Sequence, residues 1–502
     1  MLSVDNLKKL VFCLCILAIA IILCFSVFSD NIILSKDLIY KNDLVLDVSI
    51  NNQLCAYDTE TDRYYYSSSG FKNNDVVKIN SLYDVKYKIK ENTSDYIHIY
   101  VYSDEYYEEL FVDIVSMPII NLKSNDLSSF GLLENFSVDI DLSDNDSVDD
   151  SEDVYSKYIA GFSSSTDRTR YYQVSSKVRG SSSTVFPKKS YKIEFDKKVK
   201  LYNLPKDDKY VLDALYIDKS SVRNLLSSEM WNLINDNQKI NNDLFGNFVE
   251  IFIDNEYQGL YVIKDKVDKK TVELSDSGVL LKAVSHLYSS DIDNLLNDKY
   301  KVENDIFLNY EIKRYNYNTF NKLIKNLKSY YSDYSYDSIS QSFYIDNFIN
   351  YKIFVALIRG NDNLTYNQYL SMKDADSKIL ITPWDMDLTW GLCWSFSSDL
   401  YSEFLSDTSS DATWMNNNII KNMDDKTLSL LKKRYWELRK EVITMENINK
   451  YLDSYKTLLI SSGSAQRNND KWYKTDTGLE IERVRDWAEK RLAFLDEYFS
   501  KL

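Results

Sequence analysis

Residues 354–391, FVALIRGNDNLTYNQYLSMKDADSKILITPWDMDLTWG, constrain the fold more tightly than any other stretch of the chain. The segment opens on a run that is apolar on every side of a helix, so it must be buried. It breaks at Gly360-Asn361-Asp362-Asn363, residue types that end a helix and begin a turn. A short apolar segment, 379–381, then ends in Pro383-Trp384-Asp385-Met386-Asp387, closed by Gly391. This order predicts a buried helix, a turn and a hairpin, with Asp362 and Asn367 at one end of the hairpin and Asp385 and Asp387 at the other. Those polar residues could be there for the turn alone.

A second use of the same residues is chemical. Metal-assisted phosphoryl transfer needs one carboxylate to orient or deprotonate the attacking hydroxyl, and an amide with a second carboxylate to hold Mg²⁺ on the phosphates. Asp-x-x-x-x-Asn, followed one hairpin later by Asp at a strand end, is the catalytic-loop and metal-loop spacing of kinases.

Composition removes several other classes. The net charge is −16, which makes nucleic acid an unfavourable partner. With only His98 and His286 in the chain, Ser-His-Asp or Cys-His catalysis and His-rich metal sites have little to build on. Of 5 cysteines, Cys55 and Cys393 alone lie beyond the N-terminal apolar run; one disulfide is possible and nothing requires it. That run, residues 11–28, carries no charge, is preceded by Lys8 and Lys9 and followed by Asp30. It is about long enough to cross a bilayer, and its flanks place the N-terminus inside. No small-x-small cleavage site closes it, so residues 1–30 are expected to be a cytoplasmic tip and an uncleaved signal anchor, with the rest outside the cytoplasmic membrane.

Residues 31–122 alternate in short β-branched and aromatic runs, predicting a β-sandwich-like domain of no legible function. The acidic segment 139–153 lacks the glycine that a calcium loop needs and reads as a solvated loop. Residues 123–502 mix hairpins with helices that carry apolar residues at three- and four-residue spacing, giving an α+β class overall. Residues 392–418 read as a loop.

Several ordered motifs along this part resemble the CotH family, the spore-coat-protein-H-like atypical protein kinases. Arg179-Gly180-Ser181-Ser182 precedes the strand Lys188-Lys189-Ser190-Tyr191-Lys192-Ile193-Glu194-Phe195. Residues 204–212, LPKDDKYVL, lead to Asp218-Lys219-Ser220-Ser221-Val222-Arg223-Asn224. The hairpin 248–264 carries Tyr257, Gly259, Leu260 and Tyr261. The Asp362–Asn367 loop and the PWD-x-D segment complete the set. Departures are Ser181 in place of Asn, Thr184-Val185 in place of an aromatic, Tyr210 in place of Trp, and Asp265 in place of Glu.

The resemblance implies a kinase-like domain over 123–502 that uses ATP with Mg²⁺ or Mn²⁺ and phosphorylates Ser or Thr of an envelope, spore-coat or secreted protein. Asp362 would be the catalytic carboxylate. Asn367, Asp385 and Asp387 would hold the metal, with Asp385 and Asp387 competing for the main role. Arg179, Gly180, Ser182, Lys192 and Asp265 would face the nucleotide. Two alternatives stay open: a non-catalytic coat-assembly protein that keeps the fold, and a transferase acting on a cell-surface polymer.

Overall fold

The computed structural model describes residues 38–72, 74–124, 156–164, 170–180, 182–235, 242–394, 401–403 and 408–502. The apolar run 11–28 and the acidic segment 139–153 lie outside the described residues. Among the described residues no helix is long and apolar enough to cross a membrane, so the expected anchor finds no support there. The chain divides into two compact units, one holding the described residues up to Ile114 and the other those from Val115 onward.

The first unit is all β. One sheet runs Ala56–Asp58, Arg63–Ser67, Tyr106–Val115, Tyr96–Tyr102, Lys86–Asn92, with Ile39–Tyr40 alongside Tyr106–Val115. A second sheet holds Gln53–Leu54, Asp47–Ile50 and Val77–Asn80. Strict alternation in YIHIYVY turns Ile97, Ile99 and Val101 into a core shared with Val48, Ile50, Leu110 and Val112. The Cys55 thiol is free and buried in it.

The second unit begins with a seven-stranded closed barrel. Its strands are β1 (Ile119–Ser124), β2 (Ser156–Ser163), β3 (Arg170–Arg179), β4 (Ser190–Val199), β5 (Asp207–Asp213), β6 (Gly246–Ile253) and β7 (Glu256–Lys264). The order is β1-β2-β3-β4-β5-β7-β6, closed by parallel pairing of β6 with β1. The boundary expected between residues 122 and 123 falls inside β1. A barrel this small is filled by its own side chains. Ile193, Phe195, Leu212, Ile251, Tyr261 and Ile263 fill this one. Period-two alternation on β4 then sends Lys192 and Glu194 to the outer wall. β6 and β7 are joined through Asp254 and Asn255, with φ of 49° and 66°, the backbone that a two-residue hairpin demands.

Helix α1 (Arg223–Asn235) separates β5 from β6. An antiparallel sheet follows, built on β8 (Val279–Ala283), β9 (Tyr310–Arg314), β10 (Gln368–Met372) and β11 (Leu380–Pro383) in the order β9-β8-β10-β11. Two helices lie between β9 and β10, α2 (Tyr317–Ser332) and α3 (Ile345–Ile358), with the short helix Tyr336–Ser342 between them. Asn316 caps α2 by accepting from the Thr319 N–H. From Phe348 to Ile358 every residue of α3 except the half-buried Lys352 is buried, as its apolar sequence requires. Asn347 fixes it to β11, donating to the Ile381 carbonyl (3.1 Å) and accepting from the Ile381 N–H (2.8 Å).

The chain ends in α4 (Asp425–Glu441), α5 (Met445–Ser461), α6 (Ser464–Trp472) and α7 (Thr477–Lys501). The expected loop 392–418 contains a helix, Thr408–Asn418, because Asp411, Trp414 and Met415 form a buried face. Asp411 there bridges two buried guanidiniums, Arg359 Nε at 2.8 Å and Arg491 Nη1 at 3.2 Å. Arg491, on α7, also donates through Nε to the Ala356 carbonyl of α3 (2.9 Å). Removing one partner of such a buried set strands the others without compensation. Asp411→Ala is therefore expected to destabilise the protein by about 3–5 kcal/mol, whereas Glu437→Ala at the exposed Lys433–Glu437 pair should cost under about 1 kcal/mol. Urea denaturation of the two variants measures the contrast.

Candidate active site

The site is made where α3 ends and the β10–β11 hairpin opens. α3 stops at Arg359 in the left-handed region (φ 57°), and Gly360 follows. A Cβ at Gly360 would come within 2.7 Å of Asn363 Oδ1, so only glycine lets the turn close. Asn363 is the tie-piece. Its Nδ2 donates to the carbonyls of Asn367 (3.0 Å) and Trp384 (2.9 Å), and its own carbonyl accepts from the Tyr351 hydroxyl of α3 (2.6 Å).

β10 and β11 pair Gln368 with Pro383, so Asn367 and Trp384 face each other across the mouth. The Trp384 N–H donates to the Asn367 carbonyl (2.9 Å), and Asn367 Nδ2 donates to the Asp385 carbonyl (3.1 Å). Asn367 and Asp385 both hold left-handed backbone, φ 40° and 51°. Left-handed non-glycine residues cost on the order of 1–3 kcal/mol each and cluster at sites where side-chain aim matters.

Asp362, Asn367, Asp385 and Asp387 line a cavity of about 460 Å³ whose opposite wall includes Arg179 and Gly180, at the end of β3. Six of the nine residues picked from sequence thus meet in one place. Ser182 starts the short turn Ser182–Val185 that follows. Lys192 is not among the residues lining this cavity. It pairs with Glu194 on the outer wall of the barrel and lines a neighbouring cavity of about 610 Å³, together with Lys209, Lys270 and Arg314. The two cavities share Arg179, Lys282 and Trp384. Asp265 lines neither; it is buried and accepts the Phe245 N–H at 3.2 Å.

Electrostatics follow from burial. Desolvation raises the proton affinity of Asp362; the His286 imidazole opposes this and Asp385 adds to it. Asp387 is pushed up strongly, first by burial and then by Asp385 and Asp213. Burial would also raise Asp213, but Lys264 Nζ, 2.6 Å away, outweighs it and holds the carboxyl below its ordinary value. The same ammonium sits 4.6 Å over the Trp384 ring.

Sequence reasoning missed three participants. Lys188 lines the cavity but is buried, hydrogen-bonded to Asn468 Oδ1 of α6 (2.9 Å) and to the Leu260 carbonyl, and burial drives it toward the neutral form. Gly259 (φ 109°) makes room for that asparagine, since a Cβ there would meet Asn468 Oδ1 at 2.7 Å. Asp213 with Lys264 is the second omission. The third is His286, whose Nε2 lies 3.5 Å from Asp362 Oδ1. Lys188 precedes the alternating part of β4, so no periodicity marked it, and nothing local links His286 to a loop 76 residues later.

The donors at the hairpin mouth are oxygens, two carboxylates and an amide, which suit a hard cation such as Mg²⁺. Among the described residues no group of three or more His, Cys, Asp or Glu is placed to hold a metal by itself. A cation bound here would complete its shell with water and phosphate oxygens.

The family model for the CotH kinase protein matches residues 177–495, which include every one of these positions. The chain belongs to the CotH kinase family. No curated protein matches it. Membership makes the chain kinase-like, and a kinase family implies ATP and a divalent cation in general.

Asp265 gives a pH test of this interior. Burial pushes its carboxyl up to about 7, so the folded state holds a proton that the unfolded chain releases near pH 4. Stability from this group is present at low pH and is lost as pH rises toward 7. Asp265→Asn keeps an acceptor for the Phe245 N–H. It should match wild type near pH 4 and exceed it by at most about 4 kcal/mol above pH 7. Urea midpoints across that range check this.

Proposed function

We propose that this CotH kinase transfers the γ-phosphoryl group of ATP to Ser or Thr hydroxyls of an envelope, spore-coat or secreted protein, using Mg²⁺ or Mn²⁺. In this reading residues 11–28 anchor the chain in the cell membrane with the kinase unit on the outer side, as their length, lack of charge and flanking lysines favour.

Asp362 orients the acceptor hydroxyl and takes its proton. Its raised proton affinity suits that task, because a base works best when its pKa lies nearer the working pH. Asn367 offers its amide oxygen, since its nitrogen is engaged by the Asp385 carbonyl, and Asp385 and Asp387 offer carboxylates. A cation held by these three would bridge the phosphates and neutralise charge as the bond to the leaving group breaks. Arg179 and the Gly180 backbone face the phosphates from the barrel side. Lys192, with the lysines of the adjoining cavity, adds positive charge along the remainder of the nucleotide.

The observation that carries this reading is the pair of left-handed residues, Asn367 and Asp385, locked across the hairpin mouth beside Asp362. The test is transfer of label from γ-labelled ATP by the full-length chain in detergent with Mg²⁺ or Mn²⁺, scored on the protein itself and on a generic acceptor. Asp362→Ala should lower transfer by about 10²–10⁴-fold while metal-dependent ATP binding persists. Asp385→Ala should weaken that binding by at least about tenfold. No transfer and no metal-dependent ATP binding in wild type would leave a coat-assembly role. Label on glycan and none on protein would point to a polymer acceptor.

A further inference from the structure

Beside the proposed catalytic carboxylate stands a group that the phosphotransfer reading leaves unused. His286 follows β8, and its segment is tied to the Asp362–Asn367 loop rather than hanging free. The Leu287 N–H donates to Thr365 Oγ1 (3.2 Å), and Asn309 Nδ2 reaches both the Ser285 carbonyl (2.6 Å) and the Thr365 carbonyl (3.5 Å). Asn309 is itself buried. These bonds hold the imidazole with Nε2 at 3.5 Å from Asp362 Oδ1 and its ring edge-on to Tyr366, centroids 5.4 Å apart. The exposures differ in a useful way: the Asp362 side chain is 16% exposed and the His286 side chain 43%. The imidazole thus connects a recessed carboxylate to water.

We infer that His286 is a positioning and relay residue for Asp362, fixing which carboxylate oxygen faces the acceptor and receiving the proton that the acceptor hydroxyl gives up. The inference rests on the phosphotransfer reading. The acceptor oxygen bonds to the γ-phosphorus, the bond from that phosphorus to the β–γ bridging oxygen breaks, and ADP leaves with that electron pair. The hydroxyl proton passes to Asp362, from Asp362 Oδ1 to His286 Nε2, and from the exposed ring to water. The net reaction is ATP plus hydroxyl giving ADP, phosphoester and one proton. Imidazole is suited to this because it exchanges protons near neutrality. The groups facing it are Asp362 and Tyr366 from the loop after α3, with Asp385, from the segment after β11, the next charge behind Asp362.

The experiment measures pH–rate profiles of label transfer for wild type, His286→Ala and His286→Gln in the full-length chain, with metal-dependent ATP binding followed in parallel. The expected result is a fall in kcat of about ten- to a hundredfold in both variants, with ATP binding within about twofold of wild type. The shape of the kcat–pH profile should change in both variants, and added imidazole should restore part of the rate to His286→Ala, since the position is open to solvent. A merely structural role would give neither the altered profile nor the rescue. Variants that keep the wild-type rate and pH profile would overturn the relay while leaving the kinase reading intact. Wild type that transfers no label at any pH would overturn the kinase reading and the relay together.

Discussion

Everything proposed for this chain depends on how the mouth of one hairpin is locked. Two hydrogen bonds cross it, Trp384 N–H to the Asn367 carbonyl and Asn367 Nδ2 to the Asp385 carbonyl, and Asn363 ties both sides from below. Each is worth more left in place than its net gain suggests, because a half-buried amide or carbonyl without a partner loses hydration that nothing replaces. The lock forces Asn367 and Asp385 into left-handed backbone. That conformation is strained for either residue alone, yet it persists because α3, the turn and the hairpin all specify it. Loosening any one of these would release Asp385 to ordinary backbone and break the bond from Asn367 Nδ2 to its carbonyl.

The second wall is supplied from a distance. Arg179 and Gly180 reach the cavity only because the barrel is held in place, and α6 does much of the holding. Arg467 pairs with the buried Glu250 of β6 (2.6 Å), Trp472 Nε1 donates to the Gln258 carbonyl (2.9 Å), and Asn468 bonds Lys188. These contacts join residues more than two hundred positions apart. They explain why the C-terminal helices, which carry no chemistry of their own, belong to the same compact unit as the site.

The sequence was most legible where one residue's chemistry and its neighbours' periodicity pointed the same way. The buried run of α3, the turn at Gly360 and the short β11 strand are local signals, so Asp362, Asn367, Asp385 and Asp387 could be placed together without coordinates. Arg179 and Gly180 were placed by the family-like motif that carries them. Lys192 shows the limit: it sits in a family-like motif, but strand alternation turns it to the outer wall, into the adjoining cavity. Lys188, two residues before the alternation starts, takes the cavity position and is buried there by Asn468, a partner no local pattern could name. The same applies to Asp213 with Lys264 and to Asp411 with its two arginines. A buried ion pair is specified by the fold, not by spacing. The helix Thr408–Asn418 was unreadable for a related reason: its polar surface sequence hides a buried face made of Asp411, Trp414 and Met415.

The charge pattern of the cavity carries its own argument. Asp362, Asp385, Asp387 and Asp213 all line it. Of these, Asp213 is satisfied by Lys264, whose ammonium is thereby committed to it and to the Trp384 ring. Lys188 is driven toward neutrality by its burial, and desolvation also lowers the proton affinity of Lys282, helped by Arg179 and Lys313. Asp387 shows the result: burial raises its proton affinity strongly, and the neighbouring Asp385 and Asp213 carboxylates add to it. A carboxyl in that condition gives up its proton when a stronger positive charge arrives. A divalent cation, were Asn367, Asp385 and Asp387 to hold one, would provide that charge, and its binding would then be coupled to proton release from Asp387.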